Sequence, residues 1–311
     1  VVMREKNTKL SLSCAAFLFL CMLACVVCVA SAKTIYVPDN YTKIQWAVDN
    51  ASAGDTIIVR DGTYYESIIV NKKLTIKSEN GSDNCIVNGG GSDVFTLEAD
   101  GIRIEGFTIK GGYDGIHILS NNNTIVNNTI SSNKGEGIYL DDSNNNTIVN
   151  NTISSNRYQS VLISSNNIYL SHSNNNFISY NNISDSDNGI GLSHSNNNSI
   201  SNNIISSNHY GISLWHSNNN CISYNNISSN IWYGIYLDDS NNNSISNNII
   251  SNKEKGIYLA CSNNNSISYN NISSNYQGIY LSHSNNNSIS YNNISSNKYG
   301  IYLSHSNETT I

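Results

Sequence analysis

The chain has 311 residues, of which 12% are charged and 39% are hydrophobic, and it contains 20 glycines but one proline. This composition excludes an intrinsically disordered chain, which would need high charge and few aliphatic residues. The formal net charge is −6 and no basic patch occurs along the sequence, which argues against a nucleic-acid partner.

Residues 1–32 have the pattern of an export signal. Arg4 and Lys6 belong to a basic start, residues 10–30 are almost uninterruptedly apolar, and Ala30 and Ala32 are small residues that signal peptidase accepts. We predict a signal peptide over residues 1–32, cleaved before Lys33. The alternative is an uncleaved anchor, because the apolar stretch is long enough to span a bilayer. In either case we expect an exported protein, periplasmic, at the cell surface or extracellular, that meets a membrane only through this segment.

The cysteines do not form a disulfide framework. Four of the seven lie in the predicted signal, and Cys85, Cys221 and Cys261 form an odd, widely spaced set. We expect free thiols, which in an exported protein indicate an oxygen-poor setting or a metal.

Residues 33–118 contain one helical segment and the first coils of the fold that follows. Ile44, Ala47, Val48 and Ala51 recur at helical spacing, which predicts a short helix with Thr42 as its N-cap. Such a helix can cap one end of a stack of strands, where core and strand edges would otherwise be exposed.

Residues 119–311 form one repeat, marked by the motif Ser-Asn-Asn-Asn. Successive copies are 22 or 23 residues apart, with one step of 30, and this period fits one turn of a solenoid. Ile311 aligns with Ile289, the first inward residue of a coil, so we expect a chain truncated in mid-turn. The motif begins at Ser120, Ser143, Ser173, Ser195, Ser217, Ser240, Ser262 and Ser284, with a partial copy at Ser306.

The spacing of the aliphatic residues in each copy predicts short strands rather than a helix. In the copy from Ser262, Ile279 and Leu281 have the period of two that directs both side chains to one face of a strand, and Gly278 precedes them. A single coil has too few aliphatic residues to offset its ordering entropy, but stacked coils align them in continuous columns. We therefore predict an all-β, parallel β-helix filled with Ile and Leu.

One asparagine recurs in every copy. A primary amide has both a donor and an acceptor, so stacked copies can hydrogen-bond along the rod. Asparagine also tolerates the left-handed backbone of a sharp corner, and we interpret the column as structural. Its members are Asn128, Asn151, Asn181, Asn203, Asn225, Asn248, Asn270 and Asn292.

The segments Thr34–Pro38 (TIYVP), Ile44–Ala51 (IQWAVDNA) and Gly54–Val59 (GDTIIV) resemble the opening of right-handed parallel β-helix proteins of the pectin-lyase-like superfamily. The Gly-Ile-x-Leu and Asn-x-Ile coils resemble its NosD-type branch, also called carbohydrate-binding and sugar-hydrolase repeats. The resemblance implies a right-handed parallel β-helix with a capping helix. It implies no single activity, because the superfamily includes lyases, hydrolases, adhesins and spacers.

The residue before each Ser-Asn-Asn-Asn forms a column of metal-competent side chains. Neighbours would lie about 4.8 Å apart, so two could share one ion, and imidazole with thiolate suits copper or zinc. The NosD resemblance points the same way, because NosD is tied to copper delivery. The alternative is that repeat duplication copied a solvent-facing corner residue. The column is Asp142, His172, His194, His216, Asp239, Cys261, His283 and His305.

An aromatic face is the candidate for glycan binding. The outward position of the Gly-Ile-x-Leu strand is mostly tyrosine, but Gly191 and Ser213 interrupt it. Aromatic residues surround this gap and could stack on sugars, although they could equally be ordinary surface aromatics. The candidates are Tyr210, Trp215, Trp232 and Tyr233.

The acids of the repeats predict no catalytic pair. Asp141 and Asp238 share a column but stand four coils apart, and Asp185 and Asp187 lack a basic partner in their column. Glu136 is one of the remaining scattered acids. Glycoside hydrolysis needs two carboxyl groups roughly 5 to 9.5 Å apart.

The sequence as a whole predicts an exported β-helix that acts as a non-catalytic binding or structural module, with polysaccharide or envelope components as partners. A NosD-like role with copper or zinc is the alternative. A polysaccharide lyase or glycoside hydrolase comes third.

Overall fold

The computed structural model describes residues 31–157 and 165–311, and residues 33–311 form one compact unit. Within them, three parallel sheets wind around a common core, and each coil contributes one short strand to each sheet. This confirms the all-β, parallel β-helix. The predicted signal peptide lies almost entirely outside the described residues. No helix of the described part is long and apolar enough to cross a membrane.

Sheet A has twelve strands in the described residues. They are Thr34–Val37, Thr56–Val59, Thr75–Ser78, Arg103–Glu105, Thr124–Val126, Thr147–Val149, Phe177–Ser179, Ser199–Ser201, Cys221–Ser223, Ser244–Ser246, Ser266–Ser268 and Ser288–Ser290.

Sheet B has eleven strands in the same part of the chain. They are Gly62–Tyr65, Cys85–Asn88, Thr108–Lys110, Thr129–Ser131, Thr152–Ser154, Asn182–Ser184, Ile204–Ser206, Asn226–Ser228, Ile249–Ser251, Asn271–Ser273 and Asn293–Ser295.

Sheet C also has eleven strands in the described ranges, and most of them are longer than those of the other sheets. They are Ile68–Val70, Phe95–Leu97, Ile116–Ile118, Ile138–Asp141, Asn166–Ser171, Asn188–Ser193, Tyr210–Trp215, Tyr233–Asp238, Lys255–Ala260, Gln277–Ser282 and Tyr299–Ser304.

The helix, α1, spans Ile44–Asn50 and packs its buried face on the first coils. The predicted N-cap, Thr42, is wrong: the N-cap is Lys43, which makes no side-chain capping bond. The carboxylate of Glu66 accepts the backbone N–H groups of Ile44 and Gln45 instead, both at 3.0 Å. An acid from the following coil thus supplies the acceptors that a helix N-terminus lacks.

The core is the set of aliphatic columns that the repeats predict. Ile200, Ile222 and Ile245 are in register in sheet A and fully buried, as are Leu192 and Leu214 in sheet C. The corners between the sheets are buried as well, so their backbone and side-chain polar groups need hydrogen-bond partners inside the rod.

The predicted asparagine column lies in the buried corner after sheet A. Asn203 donates its backbone N–H to Asn225 Oδ1 at 3.0 Å, and the Asn225 amide donates to the carbonyl of Ile200 at 2.9 Å. The left-handed backbone lies one residue earlier, at Asn202 and Tyr224 (φ 57°), which corrects the predicted role of the column residue itself.

Three further polar columns, which were not predicted from the sequence, hold the coils together. Each accepts backbone N–H groups from the preceding coil through a buried side-chain oxygen. One runs through Asn123, Asn146, Asn176, Asn198, Asn220, Asn243, Asn265 and Asn287, another through Ser143, Ser173, Ser195, Ser217, Ser240, Ser262 and Ser284, and a third through Asn208, Asn230, Asn252, Asn275 and Asn297.

Most inward Ile residues of sheet C follow a glycine, and the coils approach closely at this position; Asn167, before Ile168, is an exception among the repeats. At Gly211, a Cβ atom would lie 2.5 Å from the backbone oxygen of Gly234 and 2.7 Å from an Ile227 methyl carbon. A larger residue at Gly211 would therefore force a shift of the neighbouring coil at this corner between sheets B and C.

We expect Asn225→Ala to destabilise the fold strongly. It leaves the N–H of Asn203 and the carbonyl of Ile200 buried without their partners, so the free energy of unfolding should fall by about 3 kcal/mol. Urea unfolding followed by circular dichroism measures this. The matched control is Asn226→Ala, because Asn226 is adjacent but exposed; it should change stability by no more than about 0.5 kcal/mol. Equal losses in the two variants would contradict the structural role of the column.

Candidate functional site

A cleft of about 770 Å³ lies on the outer face of sheet C. It extends from the coil of Asp93 to that of Trp232. These coils are six strand spacings apart, which corresponds to about 29 Å along the rod. The cleft is therefore long and runs parallel to the axis.

The cleft forms where a column of rings is interrupted. The rings of His117 and Tyr139 stack at 4.8 Å, and Tyr169 continues the column. Gly191 and Ser213 follow in register without rings, and tyrosines resume at Tyr236. The gap in the repeat thus becomes the floor of the cleft.

Aromatic side chains form one end of the cleft. Tyr210, Trp215 and Trp232 line it, and the rings of Tyr210 and Trp232 meet edge to face at 5.1 Å. Tyr233, the fourth candidate, packs against Tyr210 but does not line the cleft. The Lys255 ammonium lies 4.5 Å from the centre of the Tyr233 ring.

Acidic side chains form the opposite end. Asp93, Asp114 and Glu136 occupy one position on three successive coils, and each carboxylate accepts the backbone N–H of the residue that follows in the column. Asp93 Oδ1 accepts from Asp114 at 3.0 Å, and Asp114 Oδ1 accepts from Glu136 at 2.7 Å. Glu136 accepts from both the backbone N–H and the amide of Asn166.

His117 lies beside this acid column. Its Nδ1 is 3.1 Å from Asp93 Oδ2, and its Nε2 is buried with no hydrogen-bond partner among the described residues. Ligand atoms of Asp93, Asp114 and His117 all lie within 4.8 Å of one another.

Burial is the largest single influence on the pKa values of the titratable side chains at the acid end. It raises the pKa of Glu136 to about 8 and, helped by the charge of Asp93, that of Asp114 to about 6. Burial also opposes ionisation of Asp93, but the hydrogen bonds from His117 and from the N–H of Asp114 outweigh it and lower its pKa. For His117, burial lowers the pKa, and the hydrogen bond and charge of Asp93 outweigh this and raise it.

This end of the cleft was not predicted from the sequence. Asp93 and Asp114 lie in coils that precede the Ser-Asn-Asn-Asn repeat, so an alignment on that motif does not include them, and Glu136 then looks isolated. A second expectation is corrected too, because Asp187 has a basic partner in its column: its Oδ1 lies 3.1 Å from His209 Nδ1. Asp185 Oδ1 lies 3.3 Å from Arg157 Nη2, which belongs to a different column.

The predicted metal column is an exposed row of left-handed corner residues. The rings of His172 and His194 stack at 5.0 Å, as do those of His283 and His305 at 4.8 Å. Nearly parallel rings direct their nitrogen lone pairs side by side rather than toward one ion. Within residues 31–157 and 165–311, three metal-competent ligand atoms come within 4.8 Å of one another at Asp93, Asp114 and His117 and not in this column.

The three cysteines of the described part are free. Cys221 and Cys261 are exposed, whereas Cys85 is buried and burial raises the pKa of its thiol to about 12. Cys261 lies between Asp239 and His283 in the exposed row, as predicted from the register.

The NosD family, described as periplasmic copper-binding protein, matches residues 48–230 and 160–311. The chain therefore belongs to the NosD family. It is also 44% identical over 108 residues to a cell surface glycoprotein of Methanothermus fervidus, a match that covers 33% of this chain and 18% of that protein. The chain thus spans less than a fifth of this relative. Both matches support an exported protein.

Solved structures of similar fold include the Dettilon tailspike protein, with a TM-score of 0.67 and 17% identity over 87% of this chain and 68% of that one. The A-module of mannuronan C-5 epimerase AlgE4 from Azotobacter vinelandii has a TM-score of 0.60 and 17% identity over 88% and 99%. Alginate lyase from Paenibacillus sp. strain FPU-7 has a TM-score of 0.54 and 16% identity over 88% and 99%. At these identities the likeness concerns the fold alone.

Glu136 should make the protein less stable as pH rises. Between about pH 4.5 and about pH 8 the unfolded chain has released this proton while the folded chain keeps it, so stability falls with rising pH. Gln cannot ionise, and Glu136→Gln should reduce the loss of melting temperature between pH 5 and pH 8. Thermal unfolding at both values measures this. The exposed Glu254 provides the control, since Glu254→Gln should behave as the parent; an unchanged pH dependence in Glu136→Gln would refute the assignment.

Proposed function

We propose that this chain is an exported β-helix protein that binds a saccharide chain along the sheet C cleft, as a non-catalytic module at the cell surface or in the periplasm. The observation that carries the proposal is the shape of the cleft. It is long, parallel to the rod, and bordered by rings at one end and by polar side chains at the other. A linear polymer of rigid rings fits such a cleft better than a compact small molecule does.

The aromatic end provides the apolar contacts that sugar binding needs. Trp215 and Trp232 are 46% and 43% exposed, so each presents a ring face or edge to a ligand while the rest is held in place. The edge contact of Trp215 with Tyr236 at 5.8 Å restrains its orientation. Aromatic side chains fixed in this way contribute binding energy at a small cost in conformational entropy.

The rod itself supports this use. Residues of the cleft project from sheet strands whose backbones are bonded to both neighbouring coils, so the binding surface is preorganised. The resemblance of one segment to a cell surface glycoprotein supports a location where saccharides are abundant.

Removing the tryptophan rings should weaken binding. Purified protein is first applied to an array of neutral, amino and uronic oligosaccharides, and the affinity of the best ligand is then measured by calorimetry. We expect Trp215→Ala and Trp232→Ala each to lower affinity at least ten-fold, because each removes a stacking surface. Tyr291→Ala is the control, since Tyr291 is 77% exposed and lies outside the cleft. Absence of binding to any saccharide, or equal affinity in all variants, would refute the proposal.

A second candidate function is binding of copper or zinc. The observation that favours it is the cluster of Asp93, Asp114 and His117, whose ligand atoms are close enough to share one ion. Asp93 holds the imidazole through Nδ1, and Nε2 is the nitrogen left without a described partner. A carboxylate–histidine pair of this kind is common beside metal ions. The family description fits the same proposal.

Calorimetric titration with Cu²⁺ and Zn²⁺ distinguishes the two possible metal positions. If the cluster is the site, the double variant Asp114→Asn with His117→Ala should lose submicromolar binding, while replacing His172, His194 and His283 by Ala should leave it intact. The reverse pattern would place the metal on the exposed column. Weak binding in the parent protein would refute both positions.

A further inference from the structure

We infer that the saccharide of the cleft carries free amino groups, with a cationic sugar unit, such as glucosamine, bound at the acid end. This inference rests on the proposed function and specifies the class of its ligand. It follows from the charges and hydrogen-bonding groups that the cleft presents.

Among its described lining residues the cleft has three acids and no lysine or arginine. The three acids are Asp93, Asp114 and Glu136. Two histidines also line it: His117, which is paired with Asp93, and His216, which lies 3.9 Å from Asp239. The nearest described aromatic–lysine contact, Lys255 over Tyr233, lies beyond the aromatic end. A polyanionic chain would therefore meet carboxyl groups, and the two histidines that could offset them already face Asp93 and Asp239.

Asp114 is the residue that an amino group would meet. Its side chain is almost fully buried (3% exposed), and Oδ1 is used by the backbone N–H of Glu136. Asp114 also lines the cleft, so its carboxylate can accept a further hydrogen bond from a ligand there. An ammonium group provides both the donor and the opposite charge.

The aromatic end and the acid end differ in a way that suits an amino sugar. Aromatic rings stack on the apolar faces of sugars whatever their charge. The carboxylates, in contrast, favour a sugar unit that carries a positive charge. The acid end is separated from Trp232 by the length of the cleft, so selection and stacking act on different units of one chain. Charge selectivity is thus separable from overall binding.

The test compares three ligands of equal length: a glucosamine hexamer, an N-acetylglucosamine hexamer and a uronate hexamer. Calorimetry is done at pH 6.5 in the presence of EDTA, because a metal ion at Asp93, Asp114 and His117 would use the same carboxylates. We expect the glucosamine hexamer to bind at least ten-fold more tightly than its acetylated counterpart, and the uronate to bind most weakly.

Asp114→Asn should abolish most of this preference while keeping the acceptor for the Glu136 N–H. Asp238→Asn is the matched control, because Asp238 lies on the same sheet outside the cleft; it should keep the full preference. Equal affinity for the two amino-sugar hexamers, tighter binding of the uronate, or an unchanged preference in Asp114→Asn overturns the inference. If the amino-sugar preference fails but a neutral saccharide still binds in a way that depends on Trp215, the proposed function stands. If no saccharide binds, both the proposed function and this inference are refuted.

Discussion

Hydrogen bonds from each coil to the buried side-chain oxygens of its neighbour are the interaction on which the rod depends. Aliphatic columns fill the interior, and the corners between the sheets bury backbone N–H groups that lie outside the strand pairing. Asparagine and serine at four positions of each coil accept them, as Asn203 and Asn225 do for one column and Ser195 and Ser217 for another. Because each bond joins equivalent residues, the bonds also fix the register that aligns the aliphatic columns.

The candidate site arises where this regularity is relaxed. The inward positions of sheet C stay apolar and buried through the coils of the cleft, while its outward positions change from rings to Gly191 and Ser213. At the acid end the same kind of backbone N–H that asparagine accepts elsewhere is accepted by Asp114 and Glu136. The carboxyl groups therefore serve the fold and make the cleft acidic at the same time, and an amide in their place would keep the acceptor while removing the charge.

Most of the fold could be predicted from the sequence because a period of 22 or 23 residues repeats both the aliphatic spacing and the polar corners. The aromatic border of the cleft was also predictable, since Gly191 and Ser213 break a column that the repeat defines. The acid end was not, because Asp93 and Asp114 lie in irregular coils where no motif gives the register. The N-cap of α1 was missed for a similar reason: its acceptor, Glu66, comes from a different coil, and local sequence does not show that proximity.

The coil-to-coil bonding has a consequence for how such proteins diversify. A coil in the middle of the rod presents the same acceptors and donors to both neighbours, so recombination between repeats of the gene can add or remove a whole coil without leaving a buried group unpaired. Insertions of other lengths lack this property unless they bulge outward. Rods of this kind can therefore differ in length by whole coils, while the residues that shape the cleft, such as Asp93, Asp114 and Trp215, stay confined to their own coils.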